Sequence, residues 1–268
     1  MHTVTVATYN RPDYLRCVLM ALATAMHECP AFGRQAQIVI GIDPGGDRQQ
    51  DVCAVAHQFA DMAAASGYAT PALILWPEHL GVSEHPRRLL QHVFTVLRSE
   101  FNVHLEDDTV LSPDALRLAY WYQEQTRWRP DTTDKVICLS LHARSNEIDS
   151  SFPELIHYRP DFGVWGWCCT HIAWWLWLSH YWNVKRTGKL GFDWSLSWMM
   201  HKNNLWVLSP SLSRVQNIGR EGGVHQTPEG WDEETRGIHV AGPADMTEAD
   251  KFVLDDLKPP RPKWIWGD

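Results

Sequence analysis

Residues 101–110 read FNVHLEDDTV, so three consecutive carboxylates, Glu106, Asp107 and Asp108, follow directly on an apolar run. Adjacent acids repel one another, and a cation placed among them offsets that repulsion. Mg2+ and Mn2+ suit the task, because both prefer carboxylate oxygen and both keep coordination positions open for substrate phosphates. Taken alone, the triplet reads equally as a solvated acidic turn. Other residues with chemical potential are Arg11 in YNRP, Asp43 in GIDPGG, His85, Asp193 in GFDW, and Arg220 and His225 in SRVQNIGREGGVHQ.

The elements around these residues decide between the two readings. Residues 3–10 are a β-branched run ending at Asn-Arg-Pro, and a helical pattern of apolar residues follows from Asp13. Residues 36–42 form a second buried strand, which leads through Asp43-Pro-Gly-Gly-Asp47 into a helix over 51–66. A third strand is expected over 71–77, an amphipathic helix over 85–99 and a fourth strand over 101–107. Strands alternating with helices imply right-handed βαβ units and a mostly parallel sheet. Ligands of such sheets gather at the carboxyl ends of the strands. Asn10-Arg11, Asp43 and the acid triplet all fall there, which favours a phosphate-bearing ligand over a solvated turn.

Beyond about residue 135 the pattern is harder to order. Residues 135–146 read as one more strand and loop, and 164–182 concentrate tryptophan, either as an aromatic core or as a platform for a flat ligand. In the tail, 241–268, a short helix opened by Thr247 and a proline-rich end are expected.

Composition narrows the function classes. With 268 residues, 44% hydrophobic, the chain can bury a large core. Its 32 acidic residues against 24 basic give a net charge of −8, so there is no overall positive field to hold a nucleic acid. Six cysteines without a C-x-x-C pair read as reduced thiols rather than a zinc site. The first residues lack the basic and apolar regions of a signal peptide, and His171, Ser179, His180 and Asn183 break the most apolar segment. A soluble cytoplasmic protein that does not enter the membrane is expected.

The segments TVTVATYNRP, IVIGIDPGG and FNVHLEDDTVLSPDAL together resemble the nucleotide-sugar-binding half of GT-A glycosyltransferases. The later segments SLHARSNEIDSSFPELIHYRPDFGVWGW, GFDWSLSWM and LSPSLSRVQNIGREGGVH resemble, in the same order, parts of the N-acetylglucosaminyltransferase I and protein O-mannose N-acetylglucosaminyltransferase family. The resemblance spans about residues 3–226. It implies an α/β GT-A (Rossmann-like) fold with a mostly parallel central sheet flanked by helices. It also implies a single domain over 1–240, with 1–110 binding the nucleotide sugar and 111–240 supplying the acceptor side and a lid loop.

By the same resemblance Asp108 is the metal ligand, holding Mn2+ (or Mg2+), and Glu106 and Asp107 face the ribose and donor sugar. Arg11 lies near the donor nucleotide, Asp43 reads the uracil edge and His85 contacts the nucleotide, so the donor would be a UDP-sugar. Asp193 is the catalytic base, in keeping with the need of an inverting displacement for a carboxylate next to the acceptor hydroxyl. Gly219, Gly222 and Gly223 belong to a loop that folds over the donor, from which Arg220 and His225 reach phosphates or metal. The chain departs from the family at Val224, where the family has serine.

The function so implied is inverting, metal-dependent transfer of GlcNAc or a hexose from a UDP-sugar to an acceptor hydroxyl on a glycan or glycoconjugate. An alternative acceptor is a hydroxymethylated base in DNA, held by Arg87, Arg88, Lys185, Arg186 and Lys189 beside the tryptophans. A non-catalytic nucleotide-sugar-binding module is the reading from another class. A two-metal phosphohydrolase would need more His and Asp ligands than one acid cluster provides.

Overall fold

The computed structural model describes residues 1–128, 135–143, 151–182, 191–221, 227–236, 238–255 and 257–258. β1 (His2–Thr8) is buried at every residue but the first, as a strand covered on both faces must be. It leads into α1 (Pro12–Glu28) and the short α2 (Pro30–Gly33), then β2 (Ala36–Ile42), α3 (Gln49–Ala65), β3 (Ala72–Leu75), α4 (Gly81–Thr95) and β4 (Phe101–Glu106). β5 (Thr109–Leu111), α5 (Ala115–Trp128), β6 (Val136–Ser140), β7 (Leu155–Arg159) and β8 (Trp167–Thr170) follow. A helical segment, α6 (171–181), has a π-helical middle at Trp174–Leu178. The remaining elements are α7 (Phe192–Lys202), β9 (Trp206–Pro210), β10 (Val215–Asn217), α8 (Pro228–Thr235) and β11 (Val253–Leu254).

Among the described residues, nine strands form one sheet in the order β11-β7-β9-β6-β8-β4-β1-β2-β3. β3, β2, β1 and β4 are mutually parallel, whereas β8 runs antiparallel to both β4 and β6. Two apolar clusters cover the two faces. One joins α1, α3 and α5 to Val4, Val6, Ile38, Ile40, Val103 and Leu105. The other packs α4, α6 and α7 against Ala7, Val39, Cys138 and Cys169. The alternation of side chains along each strand feeds both layers.

Much of the tryptophan-rich segment is core, although Trp175 and Leu176 are exposed. Trp167, Trp174 and Trp182 are fully buried, and Trp182 stacks on Phe192 with ring centroids 4.4 Å apart while its Nε1 donates to the Ser83 carbonyl. Arg87 and Arg88 are paired with Glu84 and Glu78, and Lys185, Arg186 and Lys189 lie outside the described residues. All six cysteines are free, four of them buried. Among the described residues no helix is long and apolar enough to cross a membrane.

Two expectations need correction, and one element was not foreseen. The fourth helix starts at Gly81 rather than 85, because its first amides are capped by the distant carboxylate of Asp43, a partner that local capping rules do not see. Thr247 opens no helix: its N–H donates to Asp114 and its hydroxyl accepts from the buried Arg214. The chain then adds β11 to the sheet edge beside β7. The two-stranded ribbon β5-β10, three residues a side, escaped the periodicity entirely.

Candidate functional site

β1 and β4 lie side by side with Ala7 opposite Glu106, so the acid triplet emerges next to Thr8–Arg11. Asp107 is 3% exposed. Its Oδ2 accepts from the Thr8 hydroxyl and the Tyr9 N–H, both at 3.1 Å, and its Oδ1 takes the Arg11 guanidinium. Arg11 reaches on to Asp108 Oδ2 at 2.8 Å and lies over the Tyr14 ring. Burial works against the Arg11 charge, yet Asp107 and Asp108 outweigh it and raise the guanidinium pKa. The first cation offsetting the triplet is thus the chain's own, and Asp107 is a brace for Arg11 and the end of β1 rather than a group turned outward.

Glu106 ends β4, and its pKa is pushed up to about 8, by burial first, then by Asp108 and Asp107, with a smaller push from Asp193. Asp193 lies in the first turn of α7. The segment 161–166 packs against α7 and against the ribbon of β5 and β10. The Phe162 N–H donates to Ser197 of α7, and Gly166, with φ +66°, passes so close to Val215 and Thr109 that a Cβ would meet them at 2.9 and 3.2 Å.

Asp108 is the residue whose surroundings fit a cation. Its Oδ2 is held by Arg11, but its Oδ1 is buried without a hydrogen-bond partner, and a buried unpaired oxygen is costly. Among the described residues no group of three His, Cys, Asp or Glu is placed to hold a metal ion. The unpaired Asp108 Oδ1 fits a hard cation whose other positions are taken by phosphate oxygens and water.

The third wall is the start of the glycine-bearing loop. Ile218 N–H donates to the Asp108 carbonyl, and a Cβ on Gly219 would clash with Asp108 Oδ2. Buried Asn217, which sequence reasoning missed, accepts from the Gly219 N–H and from Trp231 Nε1, each at 2.8 Å. Arg220 turns away to a two-pronged pair with Asp232, at 2.9 and 3.0 Å. His225, Gly222 and Gly223 lie outside the described residues.

A second group forms around Asp43, which is 2% exposed at the end of β2. Its Oδ1 accepts from Leu80 N–H at 2.7 Å and its Oδ2 from Gly81 N–H at 2.8 Å, and His79 Nδ1 lies 3.0 Å from Oδ2. His85 sits below it in the core, with Nε2 against Gly41, where a Cβ would come within 2.8 Å. Burial, against the pull of Asp43, lowers the His85 pKa to about 4. The exposed histidine beside Asp43 is His79, whose ring packs on Tyr9. The structure thus brings together Arg11, Glu106, Asp107, Asp108 and Asp193, and separately Asp43, His85 and His79. Tyr9 joins the two groups.

The sheet order and the polar carboxyl edge define a GT-A, Rossmann-like α/β fold. Among solved structures, the chain is similar to the mannosyltransferase PcManGT from Pyrobaculum calidifontis, determined in complex with GDP-Man and Mn2+, at a TM-score of 0.55 and 15% identity. The match covers 82% of this chain and 58% of the other, so this chain spans little more than half of that enzyme's length. Mannose-1-phosphate geranyltransferase from Thermus thermophilus (TM-score 0.42, 10% identity, 81% and 75% covered) and galactosyltransferase LgtC (0.36, 12%, 65% and 59%) are too distant to add weight. No protein-family model matches the chain, and no curated protein sequence matches it.

Proposed function

We propose that the protein is an inverting, metal-dependent glycosyltransferase that moves a sugar, GlcNAc or a hexose, from a UDP-sugar to an acceptor hydroxyl of a glycan or glycoconjugate. The observation that carries this reading is the divided carboxylate of Asp108, with one oxygen on Arg11 and the other buried and unpaired at the carboxyl edge of parallel strands. The ordered resemblance to the N-acetylglucosaminyltransferase I family supports it. So does the fold shared with a mannosyltransferase solved with a nucleotide sugar and Mn2+.

In this reading Asp193 accepts the proton of the acceptor hydroxyl as its oxygen bonds to the anomeric carbon, and the bond to the diphosphate breaks on the opposite face. A divalent cation bound at Asp108 would supply neutralisation of the departing diphosphate. Arg11, braced by Asp107, orients the phosphates, and Gly219 lets the loop approach them. Arg220 joins them only on leaving Asp232. A mass-spectrometric screen of nucleotide sugars with Mn2+, followed by mixed glycan acceptors, tests the proposal. The expected result is sugar transfer from a UDP-sugar that stops with Asp193→Asn; transfer unaffected by that change removes Asp193 from its role, and binding of no nucleotide sugar removes the whole reading.

A further inference from the structure

Asp43 accepts two N–H groups, from Leu80 and Gly81, and His79 Nδ1 lies 3.0 Å from its Oδ2. Its buried position leaves little of it for a ligand. His79 stands on the solvent side of it. The His79 Nδ1 lies 3.2 Å from the Pro44 carbonyl, which can only accept, and 3.0 Å from Asp43 Oδ2. The hydrogen bond to the carbonyl puts a proton on Nδ1, and in the imidazole form of the ring Nε2 is then the acceptor; this tautomer follows from the hydrogen-bond network.

The side chain is 52% exposed, and among the described residues no group bonds Nε2. Its ring is steadied by Tyr9, centroids 4.8 Å apart, and the Tyr9 N–H is itself fixed by Asp107. The His79 ring is thereby coupled through Tyr9 to the brace that holds Arg11. Gly45, with φ +96°, passes beside the His79 Cβ and leaves the rim without a side chain there.

From this we infer that His79, with its tautomer set by the Pro44 carbonyl, selects the nucleobase of the donor: Nε2 accepts the ring N–H of a base that presents a lactam or imide edge. Uracil offers N3–H and guanine N1–H, whereas the ring nitrogen of cytosine at the same place is an acceptor and is rejected. A site that pairs a specific N–H discriminates well against an analogue lacking it, because its own polar atom is then left unpaired. The inference rests on the nucleotide-sugar reading and adds the residue that sets base preference. Asp43 becomes a positioning residue that acts through His79 and the start of α4.

Calorimetric titration of wild type and His79→Ala with UDP, CDP and GDP, each with Mn2+, separates the two levels. Wild type is expected to bind UDP at least about tenfold more tightly than CDP, and His79→Ala to weaken UDP about tenfold while leaving CDP alone, so that the ratio falls towards one. GDP bound like UDP, with the same loss in the variant, assigns the contact to any lactam N–H. An unchanged UDP-to-CDP ratio in a folded His79→Ala protein overturns the inference and leaves the nucleotide-sugar reading intact. Failure of wild type to bind any nucleoside diphosphate overturns both. The half-exposed ring makes folding of the variant easy to confirm by an unchanged melting temperature.

Discussion

The two halves of the sheet solve the same problem, holding polar groups at an edge, by different means. In β1 to β4 the strands are parallel and the helices between them local in sequence, and each of three strands ends on a functional group: Arg11 after β1, Asp43 after β2, the acid triplet after β4. In the half built on β6 to β9 the neighbours are mostly antiparallel and far apart in sequence, and Asp193 is offered from a helix instead. The first half relies on short-range order and an ion-pair brace at the edge. The second relies on a buried aromatic core and on the Arg214–Asp114 pair, both side chains 0% exposed. The difference predicts where substitutions break chemistry and where they break the fold.

The largest effect is expected at Asp193. Asp193→Asn should lower transfer by about 10²–10⁴-fold while nucleotide affinity stays nearly unchanged, the size normally carried by a positioned general base. Steady-state rates beside calorimetry would show it, and a matched loss of affinity would move Asp193 out of the acceptor side. Next is Arg214→Met, which strands Asp114 in the core and should destabilise the protein by about 3–5 kcal/mol in urea unfolding. Adding Asp114→Leu should restore part of that stability, since no unpaired charge then remains.

Smaller and confined to the first half is Gly219→Ala. Its Cβ would clash with Asp108 Oδ2, so Asp108 or the loop must shift. Mn2+-dependent nucleotide affinity should fall about tenfold, equivalent to about 1.4 kcal/mol, with little change in melting temperature. A variant that binds as well as wild type would show that the loop does not approach Asp108 when ligand is bound.

The most gradual effect concerns pH. His104, buried between Thr5 and Trp167, has its pKa lowered to about 3, by burial first and then by His85. The unfolded chain takes up a proton near pH 6.5 that the folded chain refuses until about pH 3. The His104 contribution is therefore present above about pH 6.5 and lost as pH falls, by about 1.4 kcal/mol per unit. Glu106, with its raised pKa, acts with the opposite sign below about pH 8, so the comparison of wild type with His104→Gln isolates the histidine. The variant should show the shallower decline between pH 6.5 and about pH 5; equal slopes would contradict the assignment.

What was legible in the sequence follows the same division. The strands 36–42 and 101–106 and the helices between them could be read because a buried parallel strand is a continuous apolar run and its helix follows at once. Their polar ends marked the site. Hidden were partnerships that cross the chain: Asp43 capping a helix 37 residues on, Arg11 bridging acids 96 and 97 residues away, and Asn217 joining Gly219 to Trp231. His79 carries no motif at all, and only its neighbours in space give it a role. The tail was misread because Thr247 has the type and spacing of a helix cap, yet its polar groups go to Asp114 and Arg214.

The central claim is that Asp108 divides its carboxylate between Arg11 and a bound cation. Calorimetric titration of UDP into wild type and Asp108→Asn, with and without Mn2+, addresses it most directly. The expected result is that Mn2+ strengthens UDP binding by wild type and has no effect on the variant, which retains the weaker metal-free binding through Arg11. The same Mn2+-dependent gain in both proteins would contradict the claim and send the search for the cation site elsewhere on the molecule.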